Sequence, residues 1–353
     1  MIENIIIMAG GAGKRLWPAS MGKTPKQFLK IDGEKSLFLN TLERAFNLGI
    51  TGMVYIVTHE DHVEAALKEC SILKEDMRKR IVILAEPVAR NTAPALALAA
   101  ARMVLDNRSP ETALVMAADH LIEPQDSFME SVINAYEEAS GGYIVTFGIK
   151  PSRPSTGYGY IEAGNCDGIG CSVLSFREKP DLATAEKYVE SGRYFWNSGL
   201  FAYRTDVFLS QLNEYSKEIY NLFSSPDEKM FRLKKTNSVK VYYPSRSLRE
   251  VYSDCPSISV DYAIMEKTSD IRMVKASFDW NDVGSWDVIA DLNGGSMEKV
   301  LEIQSANNFV YSEIPVALCG VENLIVVVAN NRVLICSRGN SQLVKEAAEK
   351  DSK

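Results

Sequence analysis

Short apolar runs alternate with helical patterns through the first 150 residues. The apolar runs, each short enough for a buried strand, cover residues 5–8, 54–58, 81–84, 113–116 and 144–147. The helical patterns lie between them, at residues 38–46, 64–69, 95–105 and 128–138. Continuous apolar strands that alternate with helices are typical of a parallel sheet covered on both faces. The pattern therefore predicts an α/β fold for this part of the chain.

The pattern changes after Lys150, where prolines and the run Gly157-Tyr158-Gly159-Tyr160 interrupt it. After two glycines at 294 and 295 the chain becomes β-rich. Its strand-like pieces and final helix cover residues 308–311, 315–318, 324–329, 332–336 and 342–350. We predict a large α/β domain over residues 1–290 and a small β-rich domain over residues 295–353.

Charge and composition exclude several classes of protein. The net charge is −7, and no long basic run is present to bind a nucleic acid. No apolar stretch is long enough to cross a bilayer, so no membrane partner is expected. The first residues lack the basic leader of a secretory signal. The six cysteines are scattered without a Cys-x-x-Cys pair, which predicts reduced thiols and a cytoplasmic location.

A glycine-rich turn follows the first apolar run. Glycines directly after a strand let backbone N–H groups converge on an anion, and nearby cations suit a triphosphate. The Walker loop requires Ser or Thr after Gly13-Lys14, and the dinucleotide fingerprint requires Gly or Ala where Leu16 stands, so both templates fail. An ordinary strand-to-helix turn with solvated basic residues stays open as the alternative. The candidate phosphate-binding residues are Ala9, Gly10, Gly11, Gly13, Lys14, Arg15 and, farther along, Lys26.

Two aspartates are candidate metal ligands. Asp119 follows an apolar strand, and Asp282 lies in the aromatic-rich segment 278–286. Magnesium is held by one or two carboxylates together with phosphates and water, so such a pair is chemically sufficient. A turn or helix cap for Asp119 and an aromatic-rich turn around Asp282 stay open.

Glu86 ends another strand and is a candidate for base recognition. A carboxylate only accepts hydrogen bonds, and guanine offers two adjacent donors, so Glu86 suits guanine better than uracil or thymine. An exposed Glu before Pro87 is the alternative. Farther along, Glu178 and Asn197 could bind hydroxyls while Lys179 neutralises a phosphate, although each also suits a surface turn.

In their order, these motifs resemble the mannose-1-phosphate guanylyltransferases. The set comprises Gly-Gly-x-Gly-x-Arg-Leu-Trp-Pro, Pro-Lys-Gln-Phe, Glu-Pro-x-x-x-Asn-Thr-Ala-Pro-Ala, Ala-Asp-His, Tyr-Gly-Tyr-Ile, Glu-Lys-Pro, Trp-Asn-Ser-Gly and Asp-Val-Gly-Ser-Trp. The resemblance implies a Rossmann-like (GT-A-like) nucleotidyltransferase domain with a mixed, mainly parallel sheet, followed by a small left-handed β-helix-like domain that helps form a homodimer. It also implies transfer of GMP from GTP to mannose 1-phosphate, with GDP-mannose and pyrophosphate as products.

The same resemblance implies roles for individual residues. Catalysis would rest on Arg15, Lys26, Asp119 and Asp282, and the two aspartates would hold Mg²⁺. The base and ribose would lie near Glu86, Asn91, Thr92 and Ala93, and the triphosphate along the glycine turn. The sugar phosphate would contact Gly159, Glu178, Lys179 and Asn197. The chain departs from the family's usual Arg at Met21 and Pro at Ala118, and without a cupin-like domain no isomerase activity is expected.

Three other functions compete with this one. A transferase for another sugar 1-phosphate, such as a heptose 1-phosphate, would use the same motifs. A non-catalytic regulatory protein that binds a sugar nucleotide is a second alternative, although both aspartates and both cations of the turn are present. An NAD-dependent dehydrogenase is a third, weakened by the failed fingerprint.

Overall fold

A computed structural model describes residues 1–11, 13–21, 24–31, 34–293 and 300–351. Ala12 of the glycine turn and the predicted domain boundary at residues 294 and 295 lie outside the described residues. The described residues form two compact units. The first consists of Met1–Gly10, Thr41–Ala118 and Ile122–Trp280, and the second of Gly11–Asn40, Asp119–Leu121 and Asn281–Lys353. The predicted division into residues 1–290 and 295–353 stays a prediction.

The predicted strands and helices of the N-terminal part are present. The strands up to residue 150 are β1 (Asn4–Met8), β2 (Val54–His59), β3 (Ile81–Glu86), β4 (Thr112–Ala117), β5 (Leu121–Glu123) and β6 (Ile144–Ile149). The helices are α1 (Leu37–Asn47), α2 (Val63–Cys70), α3 (Glu75–Arg78), α4 (Thr92–Leu105) and α5 (Gln125–Ser140). Most bounds differ from the predicted ones by one to three residues, because end residues lack the periodic signal of the element interior.

The middle of the chain is richer in regular structure than its polar sequence suggested. Its strands are β7 (Tyr160–Cys166), β8 (Cys171–Arg177), β9 (Tyr194–Arg204), β10 (Phe231–Thr236), β11 (Val239–Pro244), β12 (Ile271–Lys275) and β13 (Asp279–Asn281). Its helices are α6 (Leu182–Ser191), α7 (Thr205–Tyr215), α8 (Lys217–Phe223), α9 (Arg246–Asp254) and α10 (Trp286–Asn293), with a π-helical turn at Asp261–Met265.

A mixed eleven-stranded sheet forms the centre of the first unit. Its order is β10-β11-β3-β2-β1-β4-β9-β6-β12-β8-β7. Strands β11, β3, β2, β1 and β4 run parallel, while β9 is antiparallel to β4, β6 and β7. The Ala-rich helix α4 is buried along most of its length against this sheet. The predicted α/β class with a mixed sheet is confirmed.

The second unit contains the short strands near the C-terminus. These are β14 (Val300–Ile303), β15 (Phe309–Ser312), β16 (Val316–Cys319), β17 (Leu324–Ala329) and β18 (Arg332–Ser337), followed by helix α11 (Val344–Asp351). Val300 pairs with Val316 and Phe309 pairs with Ile325, both in parallel register and both offset by 16 residues. Parallel pairing at a constant offset is the arrangement of stacked β-helix coils, so the predicted β-helix-like domain is confirmed.

The prediction of reduced thiols is wrong for two of the six cysteines. Cys166 and Cys171 form a disulfide, while Cys70, Cys255, Cys319 and Cys336 are free thiols. The antiparallel register of β7 and β8 places Cys166 directly opposite Cys171, which spacing in the sequence does not reveal. In the described part of the chain, no helix combines the length and apolar character needed to span a membrane.

Candidate functional site

The glycine turn of the second unit is built around Gly13. Gly13 has φ 61°, and a Cβ there would lie 2.4 Å from the Cβ of Lys26, so this position accepts only glycine. The Ser20 hydroxyl donates to the Gly13 carbonyl at 2.5 Å, and a 3₁₀ turn begins at Lys14. Lys14 and Arg15 extend into solvent, where they are available to an anionic ligand.

Lys26 is nearly buried and is paired with Asp119. Its ammonium lies 2.7 Å from Asp119 Oδ2, and it also donates to the main-chain carbonyl of Asp282. Burial by itself would raise the pKa of the Asp119 carboxyl, but Lys26 and the neighbouring His120 more than offset this effect and hold the pKa below its usual range. Asp119 is therefore an ionised carboxylate at neutral pH. It lies in a turn between β4 and β5, so no helix begins at it, and its role as a metal ligand stays a prediction.

Asp282 lies in a turn with an unusual backbone conformation. The next residue, Val283, has φ 48°, a left-handed conformation that a β-branched side chain rarely adopts. The Asn281 side chain accepts a hydrogen bond from the Val283 N–H at 2.7 Å, which stabilises the turn. A Cβ at Gly284 would lie 2.9 Å from Asp282 Oδ2, so the glycine leaves room for the carboxylate. Strain of this kind is concentrated at functional sites.

Residues from distant parts of the sequence line one pocket within the second unit. Its volume is about 320 Å³. Four cations, two carboxylates and a histidine line it: Lys14, Arg15, Lys26, Lys345, Asp119, Asp282 and His120. Lys345, on α11, and His120 were not predicted as site residues. The excess of cations over carboxylates suits a ligand with several negative charges.

The chemistry of this pocket fits a divalent cation. Asp119 and Asp282 supply carboxylate oxygens, the donors that a hard cation such as Mg²⁺ prefers. The Lys26 ammonium already lies between the Asp119 carboxylate and the Asp282 carbonyl, which shows that these oxygens favour a positive charge.

In the first unit, Glu86 ends β3 close to the end of β1. The Glu86 side chain is 5% exposed, which excludes the alternative of an exposed Glu before Pro87. The Tyr252 hydroxyl on α9 donates to Glu86 Oε1 at 3.0 Å, and a Cβ at Gly10 would lie 3.7 Å from Oε2. Burial raises the pKa of Glu86, and the hydrogen bond from Tyr252 offsets part of this rise. The resulting pKa is about 7. Ala9, just before Gly10, is fixed to β2 by Thr58 and Val57.

The predicted nucleotide-binding residues at the start of α4 make contacts of their own. Asn91 caps the helix, with its Oδ1 accepting from the Thr92 N–H at 2.9 Å. The Thr92 hydroxyl accepts from the Val260 N–H at 2.8 Å, and the Ala93 N–H donates to the Ile258 carbonyl at 3.2 Å. These bonds tie α4 to the segment before the π-helical turn, and contact of the three residues with a ligand stays a prediction.

Gly159, Glu178 and Asn197, three of the predicted sugar-phosphate residues, meet in the first unit. A Cβ at Gly159 would lie 2.6 Å from Glu178 Oε2, so the glycine makes room for this carboxylate. The Asn197 N–H donates to the Gly159 carbonyl at 2.8 Å. Lys179, with φ 44°, pairs with Glu178. Asn197 lies within the long strand β9, so the alternative of a surface turn is wrong for this segment.

Asp261 belongs to the same cluster and was missed by the sequence analysis. The Asn197 amide donates to Asp261 Oδ1 at 3.1 Å, while Asn197 Oδ1 accepts from the Gly199 N–H at 3.1 Å. Burial and then the neighbouring Glu178 raise the pKa of Asp261, and the bond from Asn197 opposes them. Asp261 begins the π-helical turn, a feature often found at functional sites. The only signal in the sequence was one carboxylate in an otherwise apolar segment.

Comparison with known protein families covers nearly the whole chain. Residues 4–298 match the model of the nucleotidyl transferase family. Residues 298–350 match the model described as a MannoseP isomerase/GMP-like beta-helix domain.

Individual relatives agree with these matches. Mannose-1-phosphate guanylyltransferase RfbM of Salmonella typhimurium is 37% identical over 98% of this chain and 71% of its own length. The mannose-1-phosphate guanylyltransferase of Escherichia coli K12 is also 37% identical, over 98% of this chain and 72% of its own. The crystal structure of a protein from Thermus thermophilus, described as mannose-1-phosphate geranyltransferase, has a TM-score of 0.85 and 28% identity, with all of both chains covered. The chain therefore belongs to the mannose-1-phosphate guanylyltransferase family of nucleotidyl transferases.

Proposed function

We propose that this protein transfers GMP from GTP to α-D-mannose 1-phosphate, which gives GDP-mannose and pyrophosphate. The observation that carries the proposal is the pocket in which Asp119 and Asp282 lie with basic side chains of the glycine turn. Such a pocket suits a metal-bound polyphosphate. The family acts on nucleoside triphosphates and sugar phosphates, and its relatives are named for this reaction.

The reaction needs no side chain to act as a base. A phosphate oxygen of mannose 1-phosphate, already an anion at neutral pH, attacks the α-phosphorus of GTP in line. The bond from the α-phosphorus to the bridging oxygen breaks, and pyrophosphate leaves with the electron pair. Catalysis then rests on positioning the two substrates and neutralising their charge.

The pocket residues divide these tasks. Arg15 and Lys26 stabilise the charge that develops on pyrophosphate, and Lys14 and the backbone of Gly11 and Gly13 hold the triphosphate. Asp119 and Asp282 would hold the divalent metal that nucleotidyl transferases of this family generally use, and we propose Mg²⁺. When bound, the metal supplies electrostatic stabilisation to the phosphate oxygens.

The residues of the first unit would select the base and the sugar. Ionised Glu86 accepts from the guanine N1–H and 2-amino groups, next to the backbone of Ala9 and Gly10, and Asn91, Thr92 and Ala93 contact the nucleoside. On the sugar side, Glu178 and Asp261 accept hydrogen bonds from hydroxyls, with Asn197 and Gly159 fixing their positions. Lys179 would exchange its pairing with Glu178 for the phosphate of the sugar.

A pyrophosphate-release assay tests the proposal directly. The protein is treated with EDTA, supplied with Mg²⁺, and offered GTP with mannose 1-phosphate, a heptose 1-phosphate or glucose 1-phosphate. We expect pyrophosphate only with metal present and fastest with GTP and mannose 1-phosphate. Faster release with a heptose 1-phosphate would identify the alternative transferase. Saturable GDP-mannose binding without pyrophosphate release from any pair would identify a regulatory protein.

We further propose that the protein is a homodimer. Support comes from apolar side chains that two strands of the β-helix-like domain expose: Leu301 and Ile303 on β14, and Val333 and Ile335 on β18. Apolar side chains exposed in this way are of the kind that an interface between subunits buries. Light scattering should give twice the mass of one chain for the wild type and the mass of one chain for Ile335→Lys.

The predicted cytoplasmic location stays a prediction for cell fractionation to test.

A further inference from the structure

Tyr252 contacts the side chain assigned to base recognition from a distant part of the sequence. Tyr252 is completely buried on α9, and its hydroxyl donates to Glu86 Oε1 at 3.0 Å. The helix is fixed to the loop after β3, because Arg90 Nε donates to the Tyr252 main-chain carbonyl at 3.0 Å. The helix therefore fixes the direction in which the Tyr252 hydroxyl points.

The rest of the Glu86 surroundings leaves the second oxygen for a ligand. Among the described residues, Tyr252 makes the one hydrogen bond to the carboxylate, and Oε2 faces Gly10. His59 is the register partner of Glu86 on β2, and its Nδ1 lies 3.4 Å from Asp61 Oδ2. Cys255, just after α9, has a pKa raised to about 11, chiefly by burial, and is therefore a neutral thiol.

The protonation state of Glu86 determines which purine it recognises. An ionised carboxylate accepts two hydrogen bonds and matches the N1–H and 2-amino donors of guanine. A neutral carboxyl has one donor and one acceptor, and so matches adenine, whose N1 accepts and whose 6-amino group donates. With its pKa near 7, Glu86 would divide between the two states at neutral pH in the absence of a ligand.

We propose that Tyr252 is a positioning residue for base selection: its hydroxyl holds Glu86 as an acceptor-only carboxylate and thereby favours guanine over adenine. This inference rests on the proposed function, because it assumes that Glu86 meets the base. Tyr252 does not touch the reacting phosphates, so its removal changes nucleotide affinity and selectivity more than turnover. Its expected signature is a change in how selectivity depends on pH.

Binding of GDP-mannose and ADP-mannose between pH 5.5 and 8.5 tests the proposal. These ligands lack a terminal phosphate, so their phosphates do not titrate in this range. For the wild-type protein we expect GDP-mannose affinity to increase with pH and level off above about pH 7. Tyr252→Phe keeps the ring, which contacts Phe223 edge-on, but removes the O–H. We expect Tyr252→Phe to bind GDP-mannose roughly tenfold more weakly than the wild type at pH 7 and to reach its maximum affinity only at higher pH. The ratio of GDP-mannose to ADP-mannose affinity should also decrease.

Tyr203→Phe is the matched control. Tyr203 is also completely buried in the first unit, but its hydroxyl makes no hydrogen bond within the described part of the chain. The pH profile of this variant should follow the wild type. Glu86→Gln provides a second test that does not depend on the folding of Tyr252→Phe. Its amide mimics the neutral carboxyl, so it should lose the preference for GDP-mannose at every pH and show no dependence on pH.

Infrared spectroscopy of the unliganded protein separates this inference from the proposed function. The C=O band that disappears in Glu86→Gln should titrate near pH 7 in the wild type and at higher pH in Tyr252→Phe. If this band titrates at higher pH in Tyr252→Phe but the wild type binds no GDP-mannose, the hydrogen bond between Tyr252 and Glu86 is supported. Base selection and the proposed function are then both contradicted. If GDP-mannose binds and Tyr252→Phe leaves both the pH profile and the selectivity unchanged, the inference is overturned while the proposed function stands.

Discussion

Lys26 is the residue on which the charge balance of the pocket depends. It lies between the Asp119 carboxylate and the Asp282 carbonyl, and we propose that it also stabilises the departing pyrophosphate. Lys26→Ala should therefore lower kcat by about 10²- to 10³-fold, the usual effect of removing a group that stabilises developing charge. The fold should be retained, which circular dichroism checks. Lys30→Ala, at an exposed position nearby, should behave as wild type, and normal turnover in Lys26→Ala would exclude Lys26 from the mechanism.

Glu86 should give the protein a stability that depends on pH. An unfolded chain loses the Glu proton near pH 4.5, whereas the folded protein retains it until about pH 7. The group therefore stabilises the folded state below pH 4.5, and this contribution is lost as the pH rises through 7. Between these pH values, the free energy of unfolding of the wild type should fall relative to Glu86→Gln by about 3 kcal/mol. Chemical denaturation of both proteins from pH 4 to 8 measures the difference, and parallel curves would contradict it.

At the scale of single residues, the sequence predicts which side chains belong to a site better than it predicts which other residues those side chains contact. Glu86 could be identified as a candidate because it follows an apolar strand. The buried state and the contact with Tyr252, 166 positions away, depend on where the fold places α9. Asp261 was missed for the same reason, because its partner Asn197 is 64 positions away. Neither pairing leaves a local pattern that spacing or periodicity could reveal.

The glycine turn shows how a short element places its side chains. Gly13 and Gly192 have nearly equal positive φ angles of 61° and 67°, but only Gly13 has a close neighbour, Lys26. Alanine at either position costs about 1–2 kcal/mol of backbone strain. Gly192→Ala should lose only this stability, whereas Gly13→Ala should also displace Lys26 and lower kcat more than tenfold. Thermal unfolding and pyrophosphate release on both variants separate strain from displacement, and equal kcat values would refute the second effect.

Helix α11 contributes a cation to the pocket through Lys345. The side chain is 55% exposed and only loosely paired with Glu349 at 3.9 Å, so its effect should be modest. Lys345→Ala should raise the KM for GTP about two- to fivefold at low salt, in line with about 0.3–1 kcal/mol for an exposed charge. The difference should shrink at high ionic strength. Lys350→Ala, on the same helix but outside the pocket, should leave KM unchanged, and an equal rise in both variants would indicate a general charge effect.

Elements with strong periodicity were predicted well, and those inside polar segments were not. Strands β1, β2, β3, β4 and β6 match the five predicted ones, because an apolar run between helices has few other interpretations, whereas the short strand β5 and helix α3 were not predicted. Strand β9 was taken for a set of sugar-binding or turn motifs, since Trp196-Asn197-Ser198-Gly199 mixes polar and small residues. In the fold it is a central antiparallel strand, in which the Asn197 amide donates to Asp261 and the Ser198 hydroxyl donates to the Phe147 carbonyl. A strand with polar side chains of this kind loses the hydrophobic pattern that identifies strands.

At the scale of the whole molecule, the described parts of the β-helix-like domain share a core with the glycine turn. Within the second unit, Leu16, Trp286, Phe309, Ile325 and Val327 belong to one buried cluster. Trp286 also donates through its indole N–H to the Trp17 carbonyl at 2.9 Å. The two segments that contain Lys14, Arg15 and Asp282 are therefore packed against the C-terminal strands. The boundary predicted from composition could not show this, because composition reports where the pattern changes and not which segments pack together.

This packing predicts that a core change in the C-terminal strands impairs the pocket lined by Asp119 and Asp282. Phe309 is completely buried and lies 6.4 Å from Trp286 between ring centres. Phe309→Ala should cost about 3–5 kcal/mol through lost burial and a cavity, whereas Phe309→Leu, which keeps most of the volume, should cost less than about 1.5 kcal/mol. We expect kcat to fall in the same order, measured well below the melting temperature of each variant, because Trp286 and the turn at Asp282 lose their support. If Phe309→Ala melts earlier but keeps wild-type kcat and KM for GTP at low temperature, the pocket holds its geometry independently of the C-terminal strands, and the shared core serves stability alone.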